Sequence, residues 1–296
     1  MNHQKQKSKI GRQKKALAIL ISAFCVPILS GCGNLSRVRY GQETVKMAVL
    51  PAHSLGQMTE RYLPLLRYLS SETGFDVQYV SSGSYAGFGA TVEGSDVDLV
   101  LCDPLSMLTL EKSARAEALA VGLGAGGSLN SPGLIVVRDD SGIKNIPGLR
   151  GKKVGLASQR SAEGFLSQAL TLMGQGLDAR HDLRLVNCGN MDEVARKLKE
   201  KKVDAGFIGL AAWDEAASGG LKILARTEPV PNWTVAALPG TAPEIRAKIQ
   251  AALLGMGPGQ ESQRILGRLR LEGFAKPAAT DMGALAKAAE RAGIPY

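Results

Sequence analysis

Residues 155–164 read GLASQRSAEG, and four side chains able to hold an anion fall at consecutive positions: Ser158, Gln159, Arg160 and Ser161. They follow a short apolar run and precede a helical pattern. The first N–H groups of such a helix have no partner within it, and its dipole adds partial positive charge. With hydroxyls on either side and a guanidinium alongside, the turn is in outline an oxyanion site. The same residues also read more plainly, with Ser161 as a helix cap and Arg160 in water. Other polar residues stand at equivalent places, just after apolar runs: His53 and Ser54, Ser84 and Tyr85, Asp103 between Cys102 and Ser106, and Asn187, Cys188 and Asn190. Ligands of open parallel sheets gather at the carboxyl ends of strands, so these residues are candidate ligand contacts.

Asp103 is the odd member. A desolvated carboxylate facing a bound dianion would oppose it by roughly a few kcal/mol. Two roles stay open. Asp103 caps the helix opening at Pro104, where proline is favoured in the first position, or it meets the cationic end of a zwitterion whose anion lies near Arg160. His53, Cys102 and Cys188 could gather a soft metal, but no close-spaced pair of ligands exists, and neither metal nor other cofactor is expected. Ser54 beside His53, or Cys188 with His181, could form a nucleophile and base. Neither lies in a hydrolase motif such as G-x-S-x-G, so the expected function is binding without catalysis. Trp213 and Trp233 could line a cleft mouth or pack in the core.

The elements that would place these residues alternate. Strand-like TVKMAVLP, FDVQYVS, VDLVLCDP, LAVGLG and GLIVVRDD are interleaved with helical MTERYLPLLRYLSSETG and PLSMLTLEKSA. Pro64 must lie in the first turn of its helix or kink it. A second block holds strands KVGLAS, LRLVNCG, VDAGFIGL and LKILART with helices between them, and the last third is mainly helical. Alternating strands and helices predict an α/β protein with mostly parallel sheets covered by helices. Two such blocks predict two lobes: 44–139 with 227–296, and 140–226 inserted between them. The crossings lie near Pro132 and Pro231, where lobe closure would hinge.

The formal charge is +9, but residues 1–31 carry six Lys and Arg and no acid, so the rest holds a net of only +3. That mixed remainder gives no support to a nucleic-acid partner. The basic head is followed by ALAILISAFCVPIL and then LSGC. The apolar run is shorter than the roughly 20 residues a membrane span needs, and the sequence reads as an export signal. Ser30 and Gly31 before Cys32 resemble a lipobox. That resemblance implies cleavage before Cys32, lipidation of its thiol, a tether over 32–43, and a mature chain held at a membrane on the extracytoplasmic side. Cys102 and Cys188 are then the remaining cysteines, expected as buried free thiols.

VDLVLCDPLSM, SPGLIVVRDDSGIKNIPGLRGKKVGLAS, RSAEG and VARKLKEKKVDAGFIG, in this order and spacing, resemble the phosphate/phosphite/phosphonate substrate-binding proteins of ABC transporters. YLPLLRYLSSETGFDVQYV fits the opening helix and strand of that family, and the likeness spans about residues 45–255. The resemblance implies a two-lobed periplasmic-binding-protein fold, a small anionic or zwitterionic ligand in the cleft, an ABC permease as partner, and a monomer. It implies that Ser158, Arg160 and Ser161 meet the anion. A sensor or interaction lipoprotein using the same fold is the alternative. The chain departs from the family at Asp103 and Met107, and at NCGNMD, which has no histidine.

Overall fold

The structure is a computed structural model that describes residues 42–213, 219–277 and 282–296. The expected signal segment, Cys32 and nearly all of the tether lie outside the described residues. Two sheets carry the fold. The first contains β1 (Thr44–Val49), β2 (Asp76–Val80), β3 (Leu99–Cys102), β4 (Glu117–Leu123), β10 (Thr234–Ala237) and β11 (Gly273–Ala275), in the order β11-β4-β10-β3-β1-β2. The second contains β5 (Asn130–Arg138), β6 (Lys153–Leu156), β7 (Arg184–Asn187), β8 (Ala205–Gly209) and β9 (Leu221–Pro231), in the order β7-β6-β8-β5-β9.

β1 is parallel to β2 and β3, and β6 is parallel to β7 and β8. The strands that carry the chain between sheets are antiparallel to their neighbours: β5 to β8 and β9, and β10 to β3 and β4. The connections 124–129 and 232–233 join strands of different sheets, and each sheet is mixed because the arriving strand, β5 or β10, runs against its new neighbours. β5 and β9 pair with each other through the crossing, with Ser131 opposite Val230 and Pro132 opposite Pro229. The second sheet therefore begins at Asn130, ahead of the boundary expected at 140.

The helices are α1 (Leu55–Thr73), α2 (Phe88–Gly94), α3 (Pro104–Ser113), α4 (Ser167–Met173), α5 (Met191–Lys199), α6 (Pro243–Leu254), α7 (Gln260–Leu269) and α8 (Met282–Arg291). α1 buries Met58, Tyr62, Leu65, Leu66 and Leu69 at helical spacing against the first sheet. Pro64 lies well inside α1. The N–H it lacks would have met the carbonyl of Glu60, and Arg268 donates to that oxygen instead, at 3.2 Å. The C-terminal helix α8 returns to the second sheet. Its Leu285 and Ala289 share a buried cluster with Ile135, Val137 and Phe207, and with Leu105 and Leu108 of α3. Lys112 of α3 sits 3.9 Å above the Tyr296 ring, so the chain end ties α3 to the second sheet.

A π-helical turn, Ala162–Leu166, precedes α4 and lies tight on the second sheet. Gly133 and Gly209, directly opposite each other on β5 and β8, allow it. A Cβ at Gly133 would come within 2.5 Å of the Glu163 carbonyl, and one at Gly209 within 2.5 Å of the Glu163 carboxyl carbon.

Candidate ligand cleft between the sheets

The turn after β6 folds as a cap and more. Ser161 is fully buried, and its Oγ accepts from the Gly164 N–H at 3.1 Å. Ser158 is buried too, and its Oγ accepts from the Arg160 N–H at 3.1 Å. Gln159 and Arg160 are exposed. Arg160 lines an outer pocket with Tyr85, Ser106 and Pro295. The first helical amide, that of Ala162, donates at 2.8 Å to Oδ2 of Asp103, which belongs to the other lobe.

Asp103 is completely buried. Its Oδ1 accepts from the Ser106 N–H at 2.9 Å, so it does cap α3, and its Oδ2 also accepts from the Tyr85 hydroxyl at 2.8 Å. Burial pushes the Asp103 carboxyl above its ordinary range, against the pull of the Ala162 and Ser106 N–H groups and the Tyr85 hydroxyl. Burial likewise lifts the Tyr85 phenol, and the Asp103 charge lifts it further. Of the residues anticipated from sequence, Tyr85, Asp103 and Ser161 thus meet at one point. The anion resting on this helix start is the protein's own.

The reverse arrangement exists a strand away. Asp192, in the first turn of α5, crosses to the first lobe. Its Oδ2 accepts from the Ser54 N–H at 2.8 Å and its Oδ1 lies 2.9 Å from Nδ1 of buried His53. The Met191 N–H donates to the Ala52 carbonyl at 2.8 Å beside them. Burial raises the Asp192 carboxyl, but the hydrogen bond and charge of His53 and the Ser54 N–H outweigh it and bring it to about 2. Each lobe therefore places one carboxylate on backbone N–H groups at a helix start of the other. Ser84, Asn187 and Asn190 are engaged locally, accepting from the N–H groups of Gly87, Gly189 and Glu193.

Between these two bridges lies a cavity enclosing ≈ 700 Å³ between atoms, part of it open to solvent. His53, Tyr62 and Phe274 line it from the first lobe, Glu163 and Leu210 from the second, and Ser131 and Trp233 from the crossings. Glu163 is buried, and its Oε1 accepts from the Trp233 indole N–H at 2.9 Å. Trp233 stacks on Tyr62 with ring centroids 6.3 Å apart. Burial raises the Glu163 carboxyl to about 7; the indole N–H and Arg61 pull it down, and Asp103 pushes it up. Arg61 is itself buried on α1, donating to the carbonyls of Ala211 and Arg268.

Sequence reasoning missed Glu163, Asp192 and Arg61. Acids in a first helical turn read as ordinary complements to the dipole, and an arginine on α1 reads as solvated. Cys102 is buried with its thiol raised well above the usual range, chiefly by burial, and Cys188 is a second free thiol. Among the described residues no three His, Cys, Asp or Glu side chains cluster to hold a metal.

Residues 47–282 match the family described as "ABC transporter, phosphonate, periplasmic substrate-binding protein". The chain belongs to this family. Its members bind substrates for transporters outside the cytoplasm and are not enzymes. The phosphate-import protein PhnD of Mycolicibacterium smegmatis is 24% identical over 78% of this chain and 79% of that protein. PhnD1 from Prochlorococcus marinus, solved with methylphosphonate, superposes with a TM-score of 0.76 at 14% identity, covering 84% of this chain and 98% of that one. A binding protein component of an ABC phosphonate transporter from Pseudomonas aeruginosa gives 0.72 at 18% identity, covering 79% and 82%. The fold is the two-lobed one of these binding proteins. No helix among the described residues is long and apolar enough to cross a membrane.

Proposed function

We propose that this chain is the lipid-tethered, monomeric solute-binding subunit of an ABC importer, anchored through Cys32, and that its ligand is a small zwitterion held in the cavity around Glu163 and Trp233. The observation that carries the reading is the composition of the cavity wall. Both lobes and both crossings contribute to it, so filling the cavity and closing the lobes are one event, as transport requires of such a subunit. In this reading the ligand ammonium meets the Glu163 carboxyl, and the Trp233 and Tyr62 rings lining the same cavity supply aromatic surface to it. Arg61 and Arg270 also line the cavity and add positive charge to its wall.

Calorimetric titration of the soluble chain beginning after Cys32 tests this. Phosphate, phosphite, methylphosphonate, aminoethylphosphonate and amino acids form the panel. An amine-bearing member is expected to bind one to one, and Glu163→Gln to abolish the binding. Saturable binding by no member, or binding indifferent to Glu163→Gln, refutes the reading.

One comparison favours sensing as the second reading. The tetrathionate sensor histidine kinase TtrS of Salmonella typhimurium is 23% identical over 71% of this chain, which spans 39% of that kinase. Co-purification with a membrane permease supports transport, and co-purification with a kinase supports sensing.

A further inference from the structure

We infer that Asp103 is an internal anion that sets the charge selectivity of the cleft: it takes the place a ligand oxyanion would occupy on the Ala162 amide, and so excludes simple dianions. The inference rests on the solute-binding reading above and adds to it a residue that decides ligand class.

The geometry supports it on both sides of the contact. On its own lobe Asp103 is fixed, one oxygen on the Ser106 N–H and the other on the Tyr85 hydroxyl. Only one of its bonds crosses the cleft, to the Ala162 N–H at 2.8 Å. Separation of the lobes would therefore break that bond and leave the carboxylate in place, aimed at the vacated amide. A phosphonate or phosphate approaching this helix start meets a buried charge of its own sign at hydrogen-bond range. That repulsion is large in a desolvated site. Ser161 Oγ accepts from the Gly164 N–H and Ser158 Oγ from the Arg160 N–H, which fixes both side chains inward on their own turn. Arg160, the cation closest in sequence, is exposed and faces the outer pocket. That cation is thus directed elsewhere, while Glu163 adds a second acid whose charge also lifts the Tyr85 phenol beside Asp103. A closed cleft needs no external oxyanion, because Asp103 already satisfies the amide.

The test is to remove the internal anion while keeping its cap. Asp103→Ser retains an oxygen for the Ser106 N–H and vacates the space at Ala162. Wild type, Asp103→Ser, and the double variant Asp103→Ser with Ala162→Pro are each titrated with phosphate, phosphite and methylphosphonate. Proline suits the first helical position but has no N–H to offer. Wild type is expected to show no saturable binding up to about 1 mM. Asp103→Ser is expected to bind at least one dianion at least about tenfold more tightly, and the double variant to lose that gain. Dianion binding by wild type as tight as by Asp103→Ser overturns the inference, as does a gain that survives Ala162→Pro or no gain at all.

Aminoethylphosphonate and amino acids, titrated in parallel on wild type, separate the two claims. If they fail to bind while Asp103→Ser gains dianions, the zwitterion reading falls and this inference stands. Asp103→Asn gives an independent arm. It keeps the cap and the size but sets an amide N–H against the Ala162 N–H, so hydrogen exchange at the Ala162 amide is expected to quicken. Unchanged exchange at Ala162 would mean that Asp103 does not hold this amide, and overturns the inference.

Discussion

Glu163→Gln should make the protein more stable and less able to bind. In the folded chain the Glu163 carboxyl, raised chiefly by burial, loses its proton at about 7 instead of the ordinary 4.5. The folded state thus holds a proton that the unfolded state has released between those two values, and stability falls as pH rises through this window. Each pH unit between them is worth about 1.4 kcal/mol, so ionising Glu163 removes about 3 kcal/mol from the native state by pH 8. Glutamine keeps an oxygen for the Trp233 indole N–H and never ionises. At pH 8 the variant should exceed wild type by up to about 3 kcal/mol, or roughly 6–12 °C in melting temperature for a chain of this size. At pH 4.5 the two should coincide. Urea unfolding of the soluble chain from pH 4.5 to 8.5 measures both. Parallel stability curves for wild type and variant would refute the placement of Glu163 in a dry, enclosed site. A rise in stability with loss of ligand binding is the trade expected where a charged group is kept for function.

Further outcomes follow from neighbouring contacts. Trp233→Phe removes the indole donor that holds the Glu163 carboxyl down, so the pH at which stability stops falling should move above that of wild type, as read by the same unfolding series. Gly209→Ala places a methyl within 2.5 Å of the Glu163 carboxyl carbon; it should cost about 1–3 kcal/mol and weaken zwitterion binding at least tenfold, and a neutral result would mean the carboxyl lies elsewhere. Asp192→Ala leaves the Ser54 N–H and His53 without their acceptor across the cleft; faster hydrogen exchange at Ser54 and Met191 is expected, and unchanged exchange would count against a closed resting state. Cys32→Ser should release the chain from membranes in a cell-fractionation experiment.

Much of the scaffold can be read from spacing alone. Tyr62, Leu65, Leu66 and Leu69 mark the buried face of α1, and VDLVLCDP marks β3 followed by a capped helix, with Asp103 as the cap. The antiparallel course of β5 and β10 is not legible in this way, because a strand's apolar pattern is the same in either direction. The cleft was partly legible. Tyr85, Asp103 and Ser161 stand at strand ends, and the topology brings those ends together. Asp192 and Glu163 were hidden because an acid in a first helical turn looks the same whether it serves its own helix or reaches across to another lobe. Arg160 stands in the same turn, but Ser158 and Ser161 turn inward and leave it exposed, a placement that residue order alone does not give. Pro64 inside α1 became intelligible only with Arg268 beside the carbonyl it strands.

The Trp233 indole N–H reports most directly on the central claim, since it donates to Glu163 inside the cavity. Its proton–nitrogen resonance should be followed as aminoethylphosphonate, and separately methylphosphonate, is added to the ¹⁵N-labelled soluble chain. A saturable one-to-one shift is expected with the amine-bearing solute and none with methylphosphonate. A resonance that stays fixed while either solute binds stoichiometrically would place the ligand outside this cavity and contradict the account.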